Sequence, residues 1–333
     1  MGIAERQAFD AAGKSTGHER QARAGHRWRG VHRLEPLEPS RDRQRRDRAG
    51  QLLPRHPENL DDDVRFVEAD VLDDELPTDV DAVFHLAALS SRQMLEEHPR
   101  QGARVNIEGF VNVVEQAMDD SCDTFVYAST SSIYGSQEEP CTEEMPVEAS
   151  TGYDASMMGR ERYAEYYSDF HDLTLAGMRF FSVYQGYGGN EEHKGEYANT
   201  IAQFADAIAD GESPVLWGDG SQTRDFTHVD DIVRGLELAA EEELDGVYNL
   251  GVGDPYTFNE MVDMINEELG TDIDPVYEPV PLDNYVYHTH ADPAKFKQAT
   301  GWEPEVGFEE GVSRVCAAYE QTEDEQERER LRE

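Results

Sequence analysis

The chain has 333 residues, with 29 Lys+Arg against 71 Asp+Glu and a formal net charge of −42. A surface this acidic repels nucleic acid, anionic membranes and nucleotide ligands unless salt screens it, which points to a salt-rich cytoplasm. No apolar run approaches the roughly 18 residues that span a bilayer, no secretory signal is visible, and Cys122, Cys141 and Cys316 have neither metal-ligand spacing nor disulfide density, so they read as core or loop residues in a reducing compartment.

The charge is unevenly distributed along the chain. Residues 1–57 hold 13 basic and 7 acidic residues, a charge of +6, whereas the remainder holds 16 basic and 64 acidic residues, a charge of −48. In chain order after that break, strand-like runs are expected at residues 64–67, 82–86, 125–129 and 175–180, separated by stretches of helical periodicity. Strands spaced by helices argue for βαβ units and a parallel sheet covered on both faces. A helix is expected over residues 197–209, stopped by Asp210 and Gly211; a strand over 247–250 and a helix over 258–269 follow. The tail from Glu320 is almost wholly charged and reads as a solvated helix end or disorder.

Several segments carry a closer signature: DVRFVEADVLD (within 61–73), VFHLAA (83–88), FVYASTSSIYG (125–135), GMRFFSVYQG (177–186), GDGSQTRDFTHVDD (218–231) and VYNLGVG (247–253). Together they resemble the extended short-chain dehydrogenase/reductase family, and within it the NAD-dependent nucleotide-sugar epimerases and dehydratases, most of all UDP-glucose 4-epimerase. The resemblance implies an α/β, Rossmann-like parallel sheet with a small C-terminal substrate-binding part. It divides the chain into an anomalous head (1–57), the remainder of the NAD-binding domain (58–185), a mixed, mainly substrate-binding region with returning Rossmann elements (186–319) and a charged tail (320–333).

Members of this family hold NAD with a first strand, a glycine-rich turn and a second strand ending in Asp. Nothing of that kind is written in residues 1–57, so the first βαβ unit is disrupted. A shifted reading frame accounts for the absence. Gly25 to Arg33 can be encoded by GGT CAC CGG TGG CGC GGG GTT CAT CGG, which from its second base reads VTGGAGFIG. The same offset over Arg43 to Arg55 permits GNDVTVLDNFSPG, at close to the ~20-residue spacing between turn and ribose-binding acid. The alternative is a basic, disordered arm. With its 13 basic residues it could meet nucleic acid, but it lacks aromatic interleaving beyond Trp28.

For the rest of the cofactor site, the resemblance implies Asp70 as an adenine-contacting acid, although a capping aspartate reads equally well. It implies Leu86, Ala87 and Ala88 as a strand end lying near NAD, and Asn106 as a helix residue that supports the central strands by hydrogen bonds. The catalytic pair it implies is Thr130 and Tyr153, with Tyr153 also facing the cofactor. The family's lysine, four residues after the tyrosine on the same helix face, is here Met157, which holds no charge and donates no hydrogen bond. Arg160, two turns on, is the nearest basic side chain along that face. Met157 therefore marks either a second reading error or a loss of activity.

In the substrate region, Arg224 resembles the arginine that clamps the diphosphate, with a surface ion pair as the bland alternative. Ser182 replaces the Asn usual at its position. The segment EEHKGEYAN (191–199), with Lys194 and Asn199, resembles a loop of ADP-heptose 6-epimerases. Ser131 and Ser132 stand where related dehydratases carry Asp-Glu, which disfavours dehydration. The expected reaction is NAD-dependent epimerisation of a nucleotide sugar through a keto-sugar, in a cytoplasmic homodimer. The alternatives are an enzyme resembling ADP-heptose 6-epimerase or another nucleotide-sugar dehydratase or decarboxylase, and a sugar-nucleotide-binding relative without turnover.

Overall fold

The computed structural model describes residues 66–320, apart from residues 91, 172, 187–190, 192–193, 195–197 and 283. The head and its proposed glycine-rich turn, and most of the charged tail, lie outside the described residues.

The first described strand is β1 (Val83–His85). It is followed by α1 (Arg92–Glu97), α2 (Pro99–Ala103), a π-helical turn (Arg104–Glu108) and α3 (Gly109–Asp119). The backbone stays helical through residues 103, 104, 108 and 109, so α2, the π turn and α3 form one helix with a widened turn in its middle. Such a bulge turns one extra residue inward. Here it is Asn106, which is fully buried.

Next come β2 (Thr124–Thr130), a 3-10 turn (Ser131–Tyr134), α4 (Gly152–His171), β3 (Thr174–Phe180) and the short β4 (Val183–Tyr184). The C-terminal region supplies α5 (Thr200–Ala209), β5 (Val215–Trp217), β6 (Thr223–Asp225), β7 (Thr227–His228), α6 (Val229–Glu241) and β8 (Gly246–Leu250). It closes with β9 (Pro255–Thr257), α7 (Phe258–Leu269), β10 (Val276–Glu278), α8 (Ala294–Thr300) and α9 (Phe308–Glu320).

The main sheet runs β1-β2-β3-β8 with every pair parallel, in the register Val83↔Phe125, Phe125↔Leu175 and Ala176↔Gly246. Parallel pairing puts all the strand C-termini on one edge, where ligands of open α/β sheets bind. Side chains alternate between its two faces. Phe125, Tyr127 and Leu175 pack with Phe110, Val113 and Val114 of α3. Val126, Ala176, Met178 and Leu250 pack with Ile232 and Leu236 of α6 and with Phe296 and Trp302. A separate apolar cluster holds α5, α7 and α9 together through Ile201, Ile208, Phe226, Met261, Ile265 and Val312. The expected α/β parallel sheet with a distinct C-terminal region is therefore present.

Three expectations shift. Residues 66 and 67 are not in a strand, and residues 64–65 lie outside the described residues. A strand needs a neighbouring ladder, and this segment has none among the described residues. The helix expected from 197 begins at Thr200, because Asn199 caps it with a side-chain oxygen that accepts from Ala202 N at 3.0 Å. Gly211, at φ +76°, follows that helix as expected. The three cysteines are buried and none is in a disulfide, and burial raises the Cys141 thiol to about 11.

Candidate active site

The sheet edge brings Thr130, the last residue of β2, beside Tyr153 in the first turn of α4. Burial raises the Tyr153 phenol; a hydrogen bond from Thr130 and the charge of Arg160 oppose that rise, and Asp154 reinforces it. Leu86, exposed, and Ala87 and Ala88, half-buried, follow β1 on the same edge. Small side chains at a strand end leave the backbone open to a flat ligand, and the two hydroxyls beside them can handle a proton.

Thr130 also caps the 3-10 turn, accepting from Ser132 N at 3.2 Å, and its Oγ1 lies 3.0 Å from Ser132 Oγ. Ser132 Oγ donates to Asp154 Oδ1 at 2.5 Å. The other oxygen of Asp154 accepts from Ser150 N (3.2 Å) and Ser150 Oγ (2.9 Å), while Asp154 N donates to Thr151 Oγ1 at 3.1 Å. Thr151 thus caps the α4 N-terminus, and the Asp154 carboxylate ties the preceding Ser150 to the hydroxyl cluster. The sequence marks Ser132 only as a position that disfavours dehydration and does not mark Asp154 at all. The two stand 22 residues apart, a separation that carries no local periodicity.

Met157 is buried at 1% exposure. The cation of this region is instead Arg160, fully buried, which donates to Asn106 O (2.6 Å), Ala87 O (2.7 Å) and Ala128 O (3.4 Å). It ties the ends of β1 and β2 to the π turn. Burial pulls its pKa down to about 10, opposed by Tyr153 and Tyr127. Asn106 bonds both ways to Leu89, accepting from its N–H at 2.8 Å and donating to its carbonyl at 3.1 Å, and donates to Ser156 Oγ at 3.0 Å. These side-chain bonds go to the loop after β1 and to α4, and not to the central strands.

One turn beyond Met157, Glu161 pairs with Arg179 of β3 at 2.7 Å inside the protein and accepts from Ser129 Oγ at 2.6 Å. Burial lowers the Arg179 pKa, but the Glu161 hydrogen bond and charge outweigh it, so the guanidinium is held above its ordinary value. Arg179 donates on to Tyr134 Oη (2.7 Å), which donates to Asn249 Oδ1 (2.8 Å). This network locks α4 against three strands and so fixes where Tyr153 stands.

Asp70 sits at the head of a turn and accepts from Leu72 N at 2.9 Å, the capping geometry. Arg224 donates to Thr223 O (2.8 Å), Tyr287 O (3.1 Å) and Val286 O (2.6 Å), and lies 5.4 Å from the centroids of the Phe258 and Tyr285 rings. It has no carboxylate partner among the described residues, so the surface ion pair is not what holds it. The same 286–288 segment donates from Tyr287 N and His288 N to Ser136 Oγ, six residues past Thr130, which links Arg224 to the edge that carries Thr130. Lys194 is exposed and paired with Glu191 at 2.5 Å. Asn199 is occupied by its cap and by Gln185 O (2.8 Å), and Ser182 is half-buried with its carbonyl bonded to Thr227 N (3.2 Å).

With this geometry in hand, comparison with known proteins decides the family. The family model described as "NAD dependent epimerase/dehydratase family" matches residues 16–251. The chain belongs to that family. The match enters the basic head, earlier than the break at residue 58. UDP-glucuronate 4-epimerase of Thermodesulfobacterium geofontis is 32% identical over 238 residues, 71% of each chain. Two solved structures superpose well: UDP-glucose 4-epimerase of Thermotoga maritima with UDP-glucose (TM-score 0.74, 28% identity, 80% of this chain and 88% of that one) and the Thermus thermophilus UDP-glucose 4-epimerase complex with NAD (0.71, 27%, 80% and 88%). Family membership makes this chain an enzyme of nucleotide-sugar epimerase or dehydratase chemistry. No helix among the described residues is long and apolar enough to cross a membrane.

The described residues fit the nicotinamide end of NAD in one respect and fail it in another. The small strand end and the Thr130–Tyr153 pair suit a flat redox ring next to a sugar hydroxyl. Met157 offers no donor to a ribose. The phosphate-binding turn lies outside the described residues.

Proposed function

We propose that this chain is an NAD-dependent 4-epimerase of a UDP-hexose or UDP-hexuronate. The observation that carries the reading is the meeting of Thr130 and Tyr153 at the end of the parallel sheet, in a chain whose relatives are named for 4-epimerisation of both kinds of sugar. Leu86, Ala87 and Ala88 would line the cofactor, with Asn106 holding their loop in place. Arg224 would meet the diphosphate through its remaining N–H groups, and Ser182 would line the sugar pocket. Lys194, exposed, could reach phosphate by releasing Glu191. The capping bonds of Asp70 and Asn199 support positioning roles for those two.

In the reaction, Thr130 hydrogen-bonds the reacting hydroxyl while Tyr153 takes its proton. NAD, when bound, accepts a hydride and later returns it. The keto-sugar turns over within the site, and Tyr153 gives the proton back to the oxygen of the opposite epimer. The residues around the pair fix this geometry: the Glu161–Arg179 network from below, the α4 cap from one side and Arg160 from the other.

We further propose that the coding sequence of residues 1–57 is read one base out of register, the in-frame version supplying the first strand and the glycine-rich turn. The charge break at residue 58 supports this. So does β1 as the outer strand of the described sheet, with an apolar cleft lined by Leu76, Thr78, Phe84, Leu86 and Val113 along it. Two copies would meet through α3 and α4, whose outward Tyr163, Tyr166 and Phe170 are 43%, 47% and 74% exposed.

The test is incubation of the chain, with the head as written and with the head in frame, with NAD and UDP-glucose or UDP-glucuronate at molar KCl, following the C4 epimer by NMR. Epimer from the in-frame chain, abolished by Tyr153→Phe, is the expected result. Sugar-nucleotide binding without epimer in either form would replace this reading with that of a binding relative, the outcome Met157 favours. DNA sequence with no single-base slip across codons 20–60 would end the head proposal.

A further inference from the structure

Helical spacing turns Tyr153, Met157 and Arg160 to one side of α4. Side chains on a helix lean toward its N-terminus, so the Arg160 guanidinium reaches back toward Tyr153. Both grip the same loop: the guanidinium donates to Ala87 O, while the Tyr153 ring packs against Leu89 and Leu95. Both are also held by one residue of the π turn. Asn106 O accepts from Arg160 Nε, and Asn106 Nδ2 donates to Ser156 Oγ, which donates to Tyr153 O. Met157, between them, is buried and uncharged.

Arg160 is a buried charge without a counter-charge. Its hydrogen bonds go to three backbone carbonyls, and Glu161, next in sequence, is taken by Arg179. A lone charge in the interior is costly, and its field is weakly screened there. The groups whose ionisation would offset that cost are the phenols of Tyr153 and Tyr127. Tyr127 lies in the apolar cluster that packs on α3, where burial and the charge of Glu161 hold it neutral. Tyr153 stands instead at the sheet edge.

We propose that Arg160 is the cation that stabilises the Tyr153 phenolate, acting through the interior and not by contact with the substrate. The inference rests on the epimerase reading above. A phenol at neutral pH is almost wholly protonated, so the fraction present as phenolate limits proton abstraction. Burial opposes that fraction, as does the charge of Asp154; Arg160 and the Thr130 hydrogen bond favour it. When the phenolate acts, the sugar O–H bond breaks and the Tyr153 Oη–H bond forms. The electron pair of the sugar C–H bond leaves as hydride to the oxidised nicotinamide of the proposed reaction, so charge and electrons balance. Thr130 stays available to the reacting hydroxyl, since no proton passes through it.

Arg160 is a positioning residue in this scheme, because it acts through Tyr153. The first measurement is the ionisation of the phenol in the full chain. Tyr153→trifluorotyrosine brings the titration into a mild pH range, where fluorine NMR follows the single label. In that background Arg160→Gln is expected to lower the phenolate population at a given pH below the midpoint by about 10-fold, and Arg160→Lys to leave it near the parent value. Equal midpoints in the parent and Arg160→Gln chains overturn the proposal. Should Arg160→Gln fail to fold, the unsubstituted guanidinium decides. Coupling is reciprocal, so the Arg160 Nε nitrogen signal is expected to move with the midpoint of the fluorine signal. A nitrogen signal that stays fixed through that midpoint overturns the proposal. The second measurement is the epimerisation rate of the in-frame chain. Arg160→Gln is expected to lower kcat by about 10-fold with KM unchanged and to displace the pH profile to higher pH, and Arg160→Lys to restore both. If the parent chain turns over no sugar nucleotide, the epimerase reading fails on its own, and the two NMR titrations still decide whether Arg160 stabilises the phenolate.

Discussion

The STSS–YDAS pair at the sheet edge and the RDFTHVDD block in the C-terminal region are both dense in polar side chains, yet they use them differently. In the block, Asp225 is fully buried and accepts three backbone N–H bonds, from Val252, Gly253 and Ala291, each at 2.9 Å. Asp231 accepts from Glu305 N (2.9 Å) and Val306 N (3.0 Å) and pairs with Arg234. These side chains close loops, while Arg224 keeps N–H groups beyond its bonds to three backbone carbonyls. At the sheet edge, Thr130, Ser132 and Asp154 hydrogen-bond one another in a line beside the Tyr153 phenol. The segment most specific as a family signature is thus mainly architecture, and in the reaction proposed above the weaker-looking hydroxyl run carries the chemistry.

The widest contrast should come from one substitution in each region. Tyr153→Phe is expected to cut epimer formation by about 10³-fold while leaving the urea midpoint in place, since the phenol caps no backbone group. Asp225→Ala is expected to lower stability by about 3 kcal/mol, because it leaves three buried N–H groups without an acceptor. Equal loss of activity and stability in both variants would erase the distinction.

A smaller effect tests the gap left by Met157. Met157→Lys on the in-frame chain is expected to raise kcat by about 10-fold, through a charge beside Tyr153 and a donor to the cofactor ribose. The new ammonium must share its space with Arg160, so a fall in melting temperature is expected to accompany the gain. No gain in rate would indicate that the charge of Arg160 already meets the need.

The smallest effect is a pH dependence that belongs to the sheet and not to the site. His85 is packed between Phe110 and Phe125, and burial, reinforced by the charge of Arg160, holds its pKa well below 6.5. The unfolded chain therefore takes up the proton first as pH falls. Stability is complete above about 6.5 and is lost below it, at up to about 1.4 kcal/mol per pH unit. Urea midpoints between pH 7.5 and 5 should show this decline, and His85→Phe should flatten it in part. His228, lowered by its own burial, accounts for a remaining slope.

Four of the strands and the helices at 200–209 and 258–269 could be read in the sequence, because apolar periodicity is a local property that burial on one or two faces imposes on neighbouring residues. Thr130, Tyr153 and Arg224 stood out through motif spacing. Their surroundings did not. The π turn that buries Asn106, the guanidinium of Arg160 threaded between two strand ends, and the link from Ser132 to Asp154 all join segments distant along the chain.

Linear sequence was enough to establish the parallel α/β architecture, the family and the absence of the lysine, since each is written in residues a few positions apart. Only the tertiary structure decided which polar groups are free to act. Hydrogen-bond capacity is finite, and a buried side chain whose acceptors are taken by backbone from elsewhere, as in Asp225, has little left for a ligand.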